Sequence, residues 1–539
     1  MNIINAKELI NFKRLDLIVK YLYAKEFLEK DENAYNNDIY KDLYIRHILM
    51  RTMGVEPERD YEKTSKFSAD DFCNSFEKLI LKIKNNGYDS AYPIHINKDK
   101  LPENGAHRIA ISALMNLQIP YIECDSGCVW DFNWFSKNGF NTEDKQRILK
   151  GFVDINLDNC AIFVVWNPLF KHLDNVKAIM NSYFDIVGEV DLDFENNYIA
   201  FTNALLEIYE PNISKSGNDI VIREKSKLLQ ASYLSFKVIV VTNQNKNNDK
   251  EIGELSKLCK NDIRDLFNHF LPKECFCTVH SSDCKDECQY LASILLSPNN
   301  IKHLKMRVDT IVDSNFINKI RNLPSFLETI GILNKNDICV IGSGVMNALG
   351  IQKSSDIDFI IDTKYRNKFG WESVHLNEIY DIGISDKLAK RMTNLSDNIL
   401  IGNDEYHFWF KGIKFANLEI IKDRKRHSLR AKDIEHLRQI DLFEKMTCSK
   451  NQQKILINRI QEEKERRLNF QKSISNYKVV YSNIFERILS FKNEISNNKK
   501  YKVITILGTK FKIRCTSGGG QKSLSPSWVL PCLNYGGVL

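Results

Sequence analysis

The sequence predicts a multidomain protein of the α/β and α+β classes, with a mixed sheet and flanking helices in its second half. Its 539 residues exceed what one hydrophobic core normally serves. Short β-branched apolar runs, such as CAIFVVW at 160–166 and ICVI at 338–341, alternate with longer stretches of helix-forming residues. A Gly-Ser turn and the strand-like run DIDFIID follow the second apolar run. These observations predict several α/β regions in succession.

Composition limits the function classes. A net charge of +7, from 76 basic and 69 acidic residues, is too slight to indicate nucleic-acid binding. The sequence has no apolar run long enough for a transmembrane helix, and its start lacks the apolar core of a signal peptide. We therefore expect a cytoplasmic protein without a membrane span. Composition leaves the oligomeric state open.

Thirteen cysteines without a secretory signal are expected to be reduced thiols. Five of them fall between residues 259 and 288, around His280, which raises the alternative of a zinc site. Their order, Cys-x-Cys and then Cys-x-x-x-Cys, is not a recognised zinc-knuckle spacing. The sequence therefore favours free cysteines that fill small apolar positions.

The first region, 1–135, is predicted to contain a helical lead-in and a small α/β domain. A helix should begin after Ser68 as N-cap and end at Asn86-Gly87. Strands are predicted at 92–96 and 121–123, with a helix at 109–116 between them. The first strand and this helix are joined by a turn that contains Gly105-Ala106-His107-Arg108, a pattern suited to binding an anion at a helix N-terminus. Alternatively, Arg108 pairs with a local carboxylate, Glu103 or Asp99.

This turn resembles the Gly-x-His-Arg box of the ParB/sulfiredoxin-like fold, over about 35 residues. The resemblance implies that Gly105, His107 and Arg108 bind nucleotide phosphates. Together with RLDLIVKYLYAKEF upstream, the box also resembles the front half of uncharacterised proteins from bacterial capsule and lipopolysaccharide loci, some of which carry a nucleotidyltransferase-like domain further along.

The middle region, 136–325, is predicted to be an α/β domain with strands at 160–166, 184–192 and 236–242. Near its end, His280, Asp283 and Glu287, with Lys260 and Arg264, could form a second active site. The favoured interpretation is that Ser282 or Asp283 caps a helix and that Glu287 lies on its solvated face.

The region 326–450 carries the strongest signal. Because side chains alternate along a strand, Asp356 and Asp358 point to the same side. Two adjacent carboxylates repel each other unless a cation lies between them, and Mg²⁺ or Mn²⁺ prefers such oxygen ligands. Gly342 and Ser343, in a turn before a short helix, offer backbone N–H groups and a hydroxyl to a phosphate. The sequence therefore predicts a metal site beside a phosphate site.

This arrangement resembles the DNA polymerase β-like nucleotidyltransferase superfamily: strand, Gly-Ser, short helix, and a strand with Asp-x-Asp. The resemblance implies a third carboxylate on a later strand, and the candidate is Glu419, after a hairpin that turns at Lys411-Gly412. Asp356, Asp358 and Glu419 would then be the catalytic metal ligands. Downstream, Arg430, Lys432, Asp433 and His436 resemble a basic segment found in small nucleotidyltransferases, with Lys432 expected at the nucleotide. The cations between 422 and 426 either neutralise a triphosphate or form a solvated face.

The resemblance implies an enzyme that moves an NMP from an NTP to a small acceptor, with a sugar or phosphosugar used in surface polysaccharide as the candidate acceptor. One alternative is an Asp-x-Asp glycosyltransferase, which would need neither the Gly-Ser turn nor a third strand carboxylate. Another is a nucleotide-binding, ParB-like regulatory or nucleic-acid-binding protein. Beyond this domain, in 451–514, we expect one or two charged helices over 451–494 and a hairpin turning at 507–509, followed by a disordered tail at 515–539.

Overall fold

The computed structural model has a mixed α/β architecture. It separates into two compact units, Met1–Val479 and Val480–Leu539, which are described independently. The residues described are 2–29, 38–51, 68–195, 197–230, 233–244, 250–270, 278–307, 313–383, 395–428, 430–448, 489–496, 499–506 and 509–514.

The first sheet of the larger unit has the order β1-β3-β2, with β3 antiparallel to β1 and parallel to β2. Its strands are β1 Asn2–Asn5, β2 Ile94–Ile96 and β3 Gln118–Glu123. The accompanying helices are α1 Asp16–Glu29, α2 Ile39–Arg51, α3 Ala69–Asn86 and α4 Ala106–Leu114. The predicted capping at both ends of α3 is confirmed, because Ser68 and Asp71 form a capping box and Gly87 follows the last turn.

The second sheet is antiparallel and has the order β5-β6-β4-β7. Its strands are β4 Cys160–Trp166, β5 Asp185–Asp193, β6 Ser235–Thr242 and β7 Val279–Ser281. The helices from this part of the chain are α5 Phe132–Lys137, α6 Thr142–Ile155, α7 Leu173–Tyr183, α8 Tyr198–Ile208, α9 Glu210–Ser216, α10 Ile220–Leu229, α11 Ile252–Phe267, α12 Lys285–Leu295, α13 Pro298–Met306 and α14 Ser314–Thr329. One face of β4, with Ile162 and Val164, shares an apolar cluster with the first region. The first two regions therefore have a common core.

The third sheet is mixed, with the order β10-β11-β9-β8-β13-β12. Its strands are β8 Ile338–Ile341, β9 Ile357–Ile361, β10 Val374–His375, β11 Tyr380–Ile382, β12 His407–Phe410 and β13 Ile413–Ala416. The helices are α15 Ser343–Ala348, α16 Arg366–Phe369, α17 Asp397–Gly402, α18 Leu418–Ser428 and α19 Ala431–Cys448. Because β9 is antiparallel to β8 and parallel to β11, the end of β8 meets the starts of β9 and β11 at one edge.

At the opposite ends of these strands, the turn between β12 and β13 is connected to the second region by a buried ionic network. Glu207 is fully buried, and its carboxylate accepts hydrogen bonds from Arg307 Nη1 (3.1 Å) and the Lys411 backbone N–H (2.9 Å). Lys411 Nζ lies 3.1 Å from the Glu210 carboxylate, which also contacts Arg321 Nε at 3.1 Å. The third sheet is therefore anchored at the end remote from Gly342.

The smaller unit contains an antiparallel sheet of β14 Leu489–Ser496, β15 Lys499–Ile506 and β16 Thr509–Arg514. The predicted hairpin between β15 and β16 is confirmed. The predicted helix at 489–494 is wrong, because those residues pair with β15 along their length. The predictions for 451–488 and for the tail at 515–539 lie outside the described residues. Within the described part of the chain, every helix is too short or too polar to cross a bilayer.

Removing the Glu207 carboxylate should strongly destabilise the larger unit. Glu207→Ala leaves the Arg307 guanidinium buried without its carboxylate partner, and we expect the free energy of unfolding to fall by about 3 kcal/mol. Urea denaturation followed by circular dichroism measures this. The matched control is Glu224→Ala, which breaks a half-exposed pair with Lys227 and should cost at most about 1 kcal/mol. Equal losses in the two variants would contradict a stabilising role for the network.

Candidate metal and nucleotide site

The site begins where the buried strand β8 ends at Gly342. This residue has φ +69°, a backbone conformation that residues with a side chain rarely adopt. A Cβ atom at Gly342 would also lie 2.6 Å from Asp358 Oδ2, far closer than van der Waals contact. Glycine is therefore required twice, for the turn and for the close approach of the carboxylate. The predicted short helix follows as α15.

Three carboxylates meet at this edge of the sheet. Oxygens of Asp356, Asp358 and Asp381 all lie within 4.8 Å of one another. Asp356 immediately precedes β9, Asp358 is in β9, and Asp381 is paired with Asp358 in the neighbouring parallel strand β11. Paired residues on adjacent strands project their side chains to the same face. Each of the three side chains is half-buried.

Burial and mutual repulsion shape the electrostatics of this triad. Burial raises the pKa of Asp358 to about 6, and the charges of Asp356 and Asp381 act in the same direction. Lys432 and Lys425 oppose this shift. A set of hard oxygen donors whose negative charges repel one another fits a divalent cation such as Mg²⁺ or Mn²⁺.

The prediction that Glu419 lies on a strand beside the two aspartates is wrong. The hairpin turns at Lys411-Gly412 as predicted, but β13 ends at Ala416 and Glu419 lies in the first turn of α18. Its side chain is 64% exposed and lies 3.9 Å from Lys422 Nζ. The apolar run after Ala416 forms a helix because Leu418 and Ile421 fill the core from one helical face.

Asp381, not Glu419, is the third carboxylate on a strand beside Asp356 and Asp358. The sequence signal was the short run Ile379-Tyr380-Asp381-Ile382, with an acidic residue between apolar neighbours at strand period. Tyr380 and Ile382 are buried while Asp381 faces the site. His375 on β10 lies beside it, with Nδ1 2.7 Å from Asp381 Oδ1.

A buried aspartate organises the basic segment next to the triad. Asp433 is fully buried and accepts hydrogen bonds from Lys425 Nζ (3.2 Å), Arg430 Nε (2.6 Å) and the Ser428 hydroxyl. Burial alone would raise the pKa of Asp433, but the hydrogen bonds from Arg430, Ser428 and Lys425 lower it. Asp433 thus holds Lys425 near the triad, while the adjacent Lys432 side chain is exposed.

The cations between 422 and 426 do not form a solvated face. Lys422, Arg424 and Lys425 are all buried, and only Arg426 is exposed. Lys422 is paired with Glu444 at 2.7 Å, so its charge is already neutralised. Arg424 has two buried N–H groups, Nε and Nη2, that find no hydrogen-bond partner among the described residues. The charges of Lys425 and Arg424 both interact with that of Asp358.

The predicted anion site in the first region is partly occupied by internal contacts. Gly105 has φ +73° and precedes α4, as the box requires. Arg108 Nη1 donates to the Tyr88 hydroxyl (3.1 Å) and to the Tyr92 carbonyl, not to Glu103 or Asp99. His107 Nε2 lies 2.8 Å from the Tyr44 hydroxyl. The nucleotide-binding role of Gly105, His107 and Arg108 stays a prediction.

Four of the five residues considered for a second active site pair with one another, and the fifth, Arg264, donates to the Val279 carbonyl. His280 Nε2 lies 3.3 Å from Glu287 Oε1, and Lys260 pairs with Asp283. Cys284, not Ser282 or Asp283, is the N-cap of α12. Glu287 is not on a solvated face, because its carboxylate accepts the Asp283 backbone N–H at 2.7 Å. Burial lowers the pKa of His280, although Glu287 opposes the shift.

No family model matches the chain, and no solved structure matches it. The resemblance therefore rests on the residues of the Gly-Ser turn, the Asp-x-Asp strand and the basic segment.

Replacing Gly342 with alanine should displace Asp358 and weaken metal binding. We expect Mn²⁺ affinity, measured by electron paramagnetic resonance, to fall about 10- to 100-fold, as when the support of a metal ligand is lost. Gly370→Ala is the matched control, because Gly370 also has a positive φ of +79° but nothing lies within 4 Å of its Cβ position. Its Mn²⁺ affinity should be unchanged. Wild-type affinity in Gly342→Ala would contradict the close approach.

The raised pKa of Asp358 predicts a pH dependence of stability without metal. Because the folded chain binds this proton more tightly than the unfolded chain, the free energy of unfolding falls as pH rises from about 4 to about 6. Asp358→Asn lacks this loss, so it should melt above the wild type near pH 8 and equally near pH 4 in chelator-treated buffer. Added Mn²⁺ should raise the melting temperature of the wild type more than that of Asp358→Asn. A variant that melts earlier at every pH would show a structural role for Asp358.

Proposed function

We propose that the protein is a metal-dependent nucleotidyltransferase that moves an NMP from an NTP to a small acceptor. The observation that carries the proposal is the convergence of Asp356, Asp358 and Asp381 beside the Gly342-Ser343 turn. An enzyme that consumes NTP works where NTPs are made, so the proposal includes a cytoplasmic location. The range 326–450 is the proposed catalytic domain.

Asp356, Asp358 and Asp381 would hold the metal ions. Bound Mg²⁺ or Mn²⁺ supplies positive charge to the phosphate oxygens and lowers the pKa of the attacking acceptor group. In the reaction, an acceptor oxygen forms a bond to the α-phosphorus, and the bond from the α-phosphorus to the oxygen bridging to the β-phosphate breaks. Pyrophosphate leaves with that oxygen.

The residues around the triad have complementary tasks in this proposal. The Gly342 turn and the Ser343 hydroxyl bind the β- and γ-phosphates. Lys432, exposed beside the triad, and Lys425, held by Asp433, balance the triphosphate charge. A sugar or phosphosugar as acceptor, and a role in surface polysaccharide, rest on the resemblance described above.

Two features favour this function over an Asp-x-Asp glycosyltransferase. The third strand carboxylate, Asp381, completes a set of three carboxylates that could hold a metal ion. Gly342 also lies against Asp358, so the proposed phosphate turn adjoins a proposed metal ligand. The ParB-like alternative has less support, because His107 and Arg108 already bind tyrosines and a carbonyl.

Incubation with each NTP, Mg²⁺ and a panel of sugars and sugar phosphates, followed by detection of pyrophosphate, tests the proposal. Asp381→Asn should lower turnover on the order of 100-fold or more, because it removes charge that stabilises the transition state. Glu419→Gln should retain turnover within about twofold, since the Glu419 side chain is exposed and lies outside the triad. Chelation of the metal should abolish pyrophosphate release in the wild type.

The opposite ranking, with Glu419→Gln inactive and Asp381→Asn active, would contradict the assignment of the third carboxylate. Release of a nucleoside diphosphate from a nucleotide sugar, without any pyrophosphate from NTPs, would favour the glycosyltransferase. Circular dichroism spectra and melting temperatures of each variant distinguish a variant that fails to fold from one that folds but has lost activity.

A further inference from the structure

The loop between α15 and β9 carries a serine that touches both halves of the site. Ser354 Oγ lies 2.8 Å from Ser343 Oγ, next to the Gly342 turn, and 2.6 Å from the backbone carbonyl of Asp356. It also lies 3.5 Å from Asp356 Oδ1. Ser354 is thus a direct link between the proposed phosphate hydroxyl and a proposed metal ligand.

The hydrogen-bonding capacity of a hydroxyl defines how this link works. Ser354 has one hydrogen, and the Asp356 carbonyl can only accept, so Ser354 donates to Asp356 and accepts from Ser343. In this arrangement one hydroxyl fixes the Ser343 oxygen and the Asp356 backbone relative to each other.

The loop around Ser354 is held independently of this hydroxyl. Lys319 Nζ donates to the Ser355 carbonyl at 2.5 Å, and Gln352 Nε2 lies 2.9 Å from His436 Nε2. His436 Nδ1 in turn lies 2.6 Å from Lys425 Nζ. Lys319 from α14 thus holds the loop backbone and His436 from α19 holds the Gln352 side chain, so loss of the Ser354 hydroxyl should change the site without releasing the loop.

We propose that Ser354 is a positioning residue that holds the Ser343 hydroxyl and Asp356 in a fixed relation. The triphosphate and the metal are then bound at a fixed position relative to each other. This inference rests on the proposed function, which it deepens by assigning a residue outside the Gly-Ser and Asp-x-Asp motifs. Ser354 touches neither the reacting atoms nor the metal. It acts through Ser343 and Asp356.

The first test is kinetic and uses the NTP and acceptor that give the highest turnover. Ser354→Ala should raise the KM for that NTP about tenfold, and Ser354→Thr, which keeps the hydroxyl, should restore it. The double variant Ser343→Ala/Ser354→Ala should lose less in kcat/KM than the product of the two single losses, because Ser354 acts partly through Ser343. Ser396→Ala is the control: it removes a serine hydrogen bond to the Ile399 N–H at the start of α17 and should lower stability without changing KM.

The second test does not need activity. Mn²⁺ affinity, measured by electron paramagnetic resonance, should fall several-fold in Ser354→Ala and stay unchanged in Ser396→Ala. A wild type that releases no pyrophosphate would refute the proposed function, and the Mn²⁺ result would then decide alone whether Ser354 positions Asp356. An active Ser354→Ala with wild-type KM, or a double variant with fully multiplicative losses, would overturn the positioning role. So would wild-type Mn²⁺ affinity in Ser354→Ala.

Discussion

Repulsion among the carboxylates of Asp356, Asp358 and Asp381 is the cost that the rest of the third sheet must offset. Three acidic groups within 4.8 Å of one another raise the free energy of the metal-free fold. The protein tolerates this because the aspartates are held by elements whose stability lies elsewhere, in the apolar strands β8 and β9. Ile338, Val340, Phe359 and Ile361 are all fully buried.

Compensating charge comes from α18 and α19 rather than from the sheet. The Asp433 carboxylate is used entirely in internal hydrogen bonds. It binds Lys425, Ser428 and Arg430 and so orders the segment between the two helices. The ordered segment places positive charge beside the triad. Within the described residues, its lysines do not form direct ion pairs with the three aspartates. In the proposed function, this arrangement leaves the carboxylates available to a metal and the lysines available to a phosphate.

The remote edge of the sheet has the opposite character. There the charges of Glu207, Glu210, Arg307 and Lys411 are paired and buried, so they contribute to rigidity rather than to binding. His280 and Glu287 likewise pair within the protein, although in the sequence they resembled members of an active site. Chemical residue types alone do not separate a binding group from one that is satisfied internally.

The sequence by itself determined the local structure of the site. Buried β-branched residues before Gly342, the Gly-Ser turn and the alternation in DIDFIID were sufficient to predict strand, turn, helix and strand, because these depend on side chains close in the chain. The third carboxylate depended on which strand lies beside β9, and that pairing is decided by packing between residues far apart in sequence. Glu419 and Asp381 both lie near short apolar runs, but only the tertiary structure distinguishes a helix that fills a core from a strand that joins the sheet. The buried role of Asp433 and the link through Ser354 were likewise decided by tertiary contacts, since hydrogen bonds to a single carboxylate or hydroxyl leave no periodic pattern in the sequence.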